Sequence, residues 1–228
     1  MSTFFLGREP VFPHPSLADP DGLLAIGGDL SVTRLCSAYS KGIFPWYGPG
    51  SPILWWCPEP RLLLYPDQIH ISKSLRRVLN SCRFSISADR AFERVIENCA
   101  VAPRQEGDGT WLVPEMIDAY IRLHESGMAH SFESWRNSSL VGGIYGVAVG
   151  KVFFGESMFY LEPDASKVAL VHLIRFLGAN NYRFMDCQQT TRHMLRFGAC
   201  EKKKKKFLNE LEMAVVEKGV KGKWQYSA

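Results

Sequence analysis

Residues 129–160, AHSFESWRNSSLVGGIYGVAVGKVFFGESMFY, decide the fold. Ala129 to Trp135, Leu140 to Val149 and Lys151 to Tyr160 are three runs rich in aromatic, β-branched and small apolar residues. Tight Asn-Ser and Gly turns separate them, so they read as three successive strands of an antiparallel meander. Upstream, Phe92, Val95, Ile96 and Cys99 recur at helical spacing after Ser87 or Asp89 as N-cap. Met116, Ala119, Tyr120 and Leu123 repeat the pattern after Pro114. Downstream, Ser166 to Leu177 is a nearly all-apolar helix capped by Asp164 or Ser166 and stopped at Gly178, which requires burial on most sides. A strand from Arg183 to Cys187, a short helix over Thr191 to Phe197 and a last helix from Lys205 to Val215 complete the chain. The order α-α-β-β-β-α-β-α predicts an α+β fold whose sheet is mostly antiparallel and flanked by helices.

The amino-terminal part has a different composition. Residues 1–65 hold nine of the thirteen prolines and are dense in glycine. That is the composition of a small, turn-rich domain with little regular structure beyond a short helix from Thr33 to Lys41. Residues 66–228 form the second expected domain. It opens with a helix over Ser72 to Leu79 in which Lys73, Arg76 and Arg77 fall at i, i+3 and i+4 and gather into a basic ridge.

The whole chain has 228 residues, 46% hydrophobic and 22% charged, with a net charge of +4. These proportions exclude long disorder and permit a polyanionic partner without requiring one. No basic region leads into an apolar segment at the start, and no apolar run approaches the roughly 20 residues of a membrane helix, so a cytoplasmic protein without a membrane partner is expected. The six cysteines lack C-x-x-C and finger spacings and read as reduced thiols. No H-x-x-x-H, Walker loop or G-x-G-x-x-G occurs, so neither metal, nucleoside triphosphate nor dinucleotide is indicated.

Three groups of residues can carry chemistry. Strict alternation along Lys151 to Phe159 puts Val152, Phe154, Glu156 and Met158 on one face. A carboxylate there needs a cation, supplied either by the protein as a salt bridge or by a ligand ammonium. Asp186 and Gln188 also share a face, near the carboxyl end of a strand, where they either orient a substrate amine or form an edge network. Cys187 between them points away and is a structural thiol rather than a nucleophile. The third group is aromatic. Trp46 and Trp111 on stiffened loops are candidates for stacking unpaired nucleotides, whereas Trp55 and Trp56, preceded by Ile53 and Leu54, fit an interface core equally well. The run Lys202 to Lys206 is either a solvated helix start or an RNA contact.

Taken in order, FPHPSLADPDGLLAIGGDL, AYSKGIFPWYGPGSPILWWCPEPR, GTWLVPEMIDAYIRLHESGMAHSFESW, LVGGIYGVAVGKVFFGESMF, ASKVAL and MDCQ closely resemble the leucyl/phenylalanyl-tRNA-protein transferase family. The resemblance runs from Phe12 to Ala199. It implies a cytoplasmic, monomeric enzyme that moves leucine, phenylalanine or methionine from aminoacyl-tRNA to the amino-terminal arginine or lysine of acceptor proteins, tagging them for degradation. It implies a GNAT-like carboxy-terminal domain and no metal, CoA or other cofactor. By matched motif, Asp186 and Gln188 are the catalytic pair, and Glu156 receives the α-ammonium of the transferred residue. Gly155, Met158, Ile144 and Leu170 form the pocket for its side chain. Trp46 and Trp111 hold the terminal adenosine, and Lys73, Arg76 and Arg77 face the acceptor stem. Cys57 stands where serine is common, and Ile144 where some members have methionine.

The implied reaction is aminolysis of an ester, with Asp186 holding the acceptor amine through Gln188 or water and relaying its proton. Two other readings compete. A CoA-dependent N-acetyltransferase would need a glycine-rich pyrophosphate loop between the third meander strand and the Ser166 helix, and none is written there. A non-catalytic RNA-binding module would use only the aromatic loops and the basic ridge.

Overall fold

The computed structural model describes residues 3–102 and 112–228. In chain order the strands and helices are β1 (Phe4–Leu6), β2 (Leu23–Gly27), α1 (Val32–Tyr39), β3 (Phe44–Pro45), β4 (Leu54–Trp56) and β5 (Arg61–Leu64). Next come α2 (Lys73–Asn80), β6 (Ser85–Ala88), α3 (Phe92–Val101), α4 (Pro114–Glu125), β7 (Ala129–Arg136), β8 (Ser139–Val149) and β9 (Val152–Tyr160). The last are α5 (Ala165–Ala179), β10 (Phe184–Asp186), α6 (Arg192–Arg196), β11 (Cys200–Lys202) and α7 (Lys204–Val215). The fold is α+β.

The meander forms as its turns require. Asn137 and Ser138 both take left-handed backbone, φ 48° and 63°, as a two-residue hairpin loop demands. Gly150, at φ 57°, does the same between β8 and β9. These strands sit inside a seven-stranded sheet of order β11-β5-β10-β9-β8-β7-β6. Its pairs are antiparallel except β9 with β10, which are parallel and joined through α5. One face of the sheet carries a hydrophobic cluster that includes Tyr39, Val95, Tyr120, Phe154, Phe159 and Phe207. The other face carries a cluster that includes Leu75, Phe153, Leu170, Leu173, Met194 and Trp224.

The structure corrects the sequence reading in several places. Residues 1–65 are richer in strands than expected: β1, β2, β4 and β3 form a four-stranded sheet. β5, also expected in the turn-rich part, pairs with β10 and β11 in the large sheet. β6 and β11 were not anticipated; at four and three residues they are too short for alternation to be recognised. Neither Ser87 nor Asp89 caps α3. That position belongs to Ala91 without a side-chain cap, because Ser87 donates to Glu133 and Asp89 accepts from Ser131 and Trp224 backbone N–H groups. α5 runs through Gly178, and Asp164 makes no side-chain cap bond.

The largest correction falls on β9. Tyr145 pairs with Ser157 but Gly146 pairs with Gly155, so Glu156 is an extra residue in a β-bulge. Alternation therefore inverts across it. Val152 and Phe154 lie in the first cluster with Phe159, whereas Met158 packs against the second. Met158 therefore does not share a face with Val152 and Phe154, whereas Glu156 reaches Tyr39 and Tyr120 of the first cluster.

Candidate active site

Glu156 is held by two helices and a loop that the sequence separates widely. Tyr39 on α1 donates from its hydroxyl to Oε1 at 2.8 Å, and Tyr120 on α4 donates to Oε2 at 3.0 Å. The Gln188 carboxamide adds a donation to Oε1 at 2.8 Å. No cation is among these partners, so of the two alternatives for Glu156 the protein salt bridge is absent among the described residues. Burial pushes the Glu156 carboxyl up to about 7, against the downward pull of the tyrosine and glutamine donors. The geometry agrees. Tyr39 and Tyr120 also lie 2.6 Å apart, oxygen to oxygen. Two hydroxyl protons cannot serve both of those contacts with Glu156 and the contact between the tyrosines, so a proton on Glu156 completes the set.

Asp186 lies at the end of β10 and is fully buried. Its two oxygens face Arg61 of β5, with Arg61 Nε at 2.9 and 3.0 Å and Nη2 at 2.7 Å. Burial would lower the Arg61 pKa, but Asp186 more than offsets this and the guanidinium is held above its usual value. Asp186 Oδ1 also accepts the Gln188 backbone N–H at 2.8 Å. Gln188 sits at φ 62°. A left-handed residue two places beyond Asp186 ends the pleat: Asp186 is packed inside, and Gln188 borders a cavity and reaches Glu156 with its amide. Cys187 packs with Met185 against the second cluster, away from Asp186, and also borders both cavities. Burial, reinforced by the neighbouring Asp186 charge, pushes its thiol well above the usual range, which disfavours a thiolate nucleophile.

Two cavities meet at Glu156, Cys187 and Thr191. One, of about 270 Å³, is lined by Phe44, Pro45, Trp46, Gln188 and Gln189 besides the shared residues. The other, of about 310 Å³, is lined by Ile144, Gly155, Ser157, Met158, Met185, His193 and Met194 besides the shared ones. Ile144, Gly155 and Met158, three of the four residues that the family resemblance assigns to a side-chain pocket, line this second cavity. Leu170 does not: it is fully buried on α5 within the second cluster and absent from the cavity lining. Trp46 is 39% exposed. Trp56 braces it, ring centroids 5.6 Å apart, and donates its indole N–H to the Trp46 carbonyl at 2.6 Å. Trp55 is buried and serves the core. Trp111 lies outside the described residues.

Lys73, Arg76 and Arg77 are exposed on α2, opposite Leu75, and none of them forms an ion pair with a described residue. The lysine run splits among elements. Lys202 ends β11 with its ammonium over the Tyr65 ring, Lys203 holds the N-cap position of α7, and the remainder begins that helix. A larger cavity of about 730 Å³, between Tyr65, Arg183, Glu210 and Glu217, contains none of the expected site residues. Among the described residues no group of three or more His, Cys, Asp or Glu side chains could hold a metal ion.

The sequence reading missed Tyr39, Tyr120 and Arg61 as site residues. Each carried a usable signal, since a tyrosine on the apolar stripe of a helix, or an arginine leading an all-leucine strand, needs a polar partner once buried.

The comparisons with known proteins agree along the chain. A family model described as leucyl/phenylalanyl-tRNA protein transferase matches residues 63–212, and one described as the N-terminal domain of that transferase matches residues 28–59. A relative of that name from Solidesulfovibrio magneticus is 56% identical over 224 residues, covering 98% of this chain and 91% of its own. Another, from Anaeromyxobacter sp. (strain Fw109-5), is 53% identical over 228 residues, covering 100% and 97%. Among solved structures, L-PGS from Bacillus licheniformis matches with a TM-score of 0.37 and 12% identity over 74% of this chain and 53% of its own, too slight a likeness to bear on the fold.

Proposed function

The chain belongs to the leucyl/phenylalanyl-tRNA protein transferase family and is an aminoacyltransferase; from that premise we propose that it moves leucine, phenylalanine or methionine from aminoacyl-tRNA to the amino-terminal arginine or lysine of acceptor proteins. In this reading it acts in the cytoplasm and marks those proteins for degradation. No helix among the described residues is long and apolar enough to cross a membrane, which is compatible with that setting. The observation that carries the reading is Glu156, a carboxyl on the wall common to two cavities, met by neutral donors and no cation.

In the proposed mechanism the donor's α-ammonium docks on Glu156 and ionises it. The donor's side chain enters the cavity of Ile144, Met158, Met185 and Met194, where Gly155 leaves room at the floor. Trp46 supplies a stacking face for the terminal adenosine on the other side, and Trp111 is assigned the same task. The acceptor's α-amine, neutral in a useful fraction because its pKa is near about 8, attacks the aminoacyl carbonyl. The adenosine 3′-oxygen leaves, and the proton shed by the amine ends on that oxygen. Gln188 touches the reacting groups as a positioning amide, since a carboxamide is no base near neutral pH. Asp186 acts through Gln188: it carries the Gln188 N–H and is itself closed off by Arg61.

The larger unit is read as GNAT-like, a reading supported by helices on both faces of a mostly antiparallel sheet with one parallel pair. Because β5 pairs within the large sheet, its boundary is read before Arg61 instead of near residue 65, and the two family models meet between 59 and 63. Against CoA use stands the β9–α5 connection, residues 161–164, which has no glycine and carries Glu162 paired to Arg83 and Arg136.

The test is transfer of labelled leucine from charged tRNA to a peptide beginning with arginine, run beside one beginning with glutamate. Label on the arginine peptide alone is the expected result. Equal labelling of both, or none, would remove the proposed specificity.

A further inference from the structure

α6 forms a wall of the donor side-chain cavity, to which it contributes His193 and Met194, with Thr191 just before it. Met194 and Phe197 are buried in the second hydrophobic cluster. A helix that buries Met194 must turn the neighbouring positions outward, and Arg192, Leu195 and Arg196 are exposed. Neither arginine makes an ion pair with any described residue. Thr190, just before α6, donates from its hydroxyl to Glu201 at 2.7 Å.

The chain beyond α6 is pinned to the segment that leads into α2. The His70 N–H donates to the Phe197 carbonyl at 2.8 Å. Contact is so close at Gly198 that a Cβ there would lie 2.5 Å from the Gln68 carbonyl oxygen. α2 buries Leu75 in the same cluster as Met194. α6 thus borders a cavity through His193 and Met194 and adjoins, at its far end, the segment that leads into α2, the helix that carries Lys73, Arg76 and Arg77.

We infer that Arg192 and Arg196 form a second phosphate-binding patch that grips the backbone of the unpaired nucleotides leading to the terminal adenosine. This inference rests on the aminoacyl-tRNA reading above and adds residues to it. Unpaired guanidinium groups on a short, packed helix match phosphate oxygens by charge and by fork geometry. Leu195, 44% exposed between them, offers an apolar face for a base. A cationic acceptor peptide is repelled by the same patch, which leaves this side of the site to the donor.

The experiment compares Arg192→Gln, Arg196→Gln and the double variant of the full chain with two donors, leucyl-tRNA and leucyl-adenosine, the second of which carries no phosphate. KM for leucyl-tRNA should rise about three- to tenfold per arginine with kcat held, and the slope of log kcat/KM against log salt should become shallower by about 0.7 per arginine. Kinetics with leucyl-adenosine should be unchanged, and lysine at both positions should recover most of the salt slope. Equal losses with both donors would place the effect in the pocket and overturn the patch. Unchanged leucyl-tRNA kinetics and salt slope would overturn it as well. If the unaltered protein transfers from neither donor, the aminoacyl-tRNA reading falls and takes the patch with it; transfer by the unaltered protein with indifferent variants removes the patch alone.

Discussion

In the proposed function, Glu156 and its two tyrosines set the pH behaviour of the donor site. With its carboxyl pushed up to about 7 by burial, the empty site is largely protonated below that value and loses its attraction for an ammonium. kcat/KM for the donor should therefore rise with pH through about 7, and Glu156→Gln should abolish that limb while leaving the later rise from acceptor-amine deprotonation near about 8. The same variant should weaken an aminoacyl-adenosine analogue about 10- to 100-fold, the cost of a charge-assisted contact; unchanged affinity would take Glu156 out of donor binding. Asp186 calls for a different variant. Asp186→Ala strands a buried guanidinium and should cost about 3–5 kcal/mol of stability whatever Asp186 does in catalysis. Denaturation beside kinetics separates the two effects: combining Arg61→Met with Asp186→Asn should recover part of the stability lost by either single change, whereas strictly additive losses would deny that the pair acts as a unit.

The bulge in β9 is the element that builds the site, because one extra residue lets Glu156 reach Tyr39 and Tyr120 while Met158 lines the cavity on the far side of the sheet. Glycines make room for it. A Cβ at Gly146 would lie 2.1 Å from the Phe154 carbonyl oxygen, whereas one at Gly155 would meet the end of the Met185 side chain at 2.2 Å. Backbone cannot yield as a thioether can. Gly155→Ala should cost about 1–3 kcal/mol and narrow the donor cavity, lowering kcat/KM for phenylalanyl-tRNA more than for leucyl-tRNA. Gly146→Ala should cost more, and thermal unfolding of the two variants decides the order. The meander, α4, α5 and the basic face of α2 were legible because their periodicities run for two or more turns or pleats. The bulge was not, since counting by twos presumes the pleat it interrupts; the paired glycines were its faint signature.

For the whole molecule, the carboxy-terminal segment closes the second cluster with Trp224. The Trp224 ring stacks on His130 at 3.9 Å, the Trp224 backbone N–H donates to Asp89 at 2.6 Å, and Ala228 exchanges backbone hydrogen bonds with Ile86. Removing residues 222–228 should lower Tm by several degrees or more, because it uncovers the aromatic cluster and leaves Asp89 and His130 short of partners; an unchanged Tm would show that this segment adds nothing to stability. Beneath that segment, burial raises the Glu133 carboxyl to about 7 against donation from Ser131 and Ser87. A folded-state value above the unfolded one means the contribution is full below about pH 4.5 and is lost as pH rises through about 7. Tm should decline over that window, and Glu133→Gln should flatten the decline. By itself the sequence determined the α+β class, the meander, the buried α5 helix and the residues to examine, because hydrophobic period and turn chemistry are local. Only the tertiary structure decided that Tyr39, Tyr120 and Gln188 meet on Glu156, that Arg61 seals Asp186, and that Leu170 lies outside the pocket. Those contacts join residues 32 to 125 positions apart, and burial, not pattern, determines their partners and their charge.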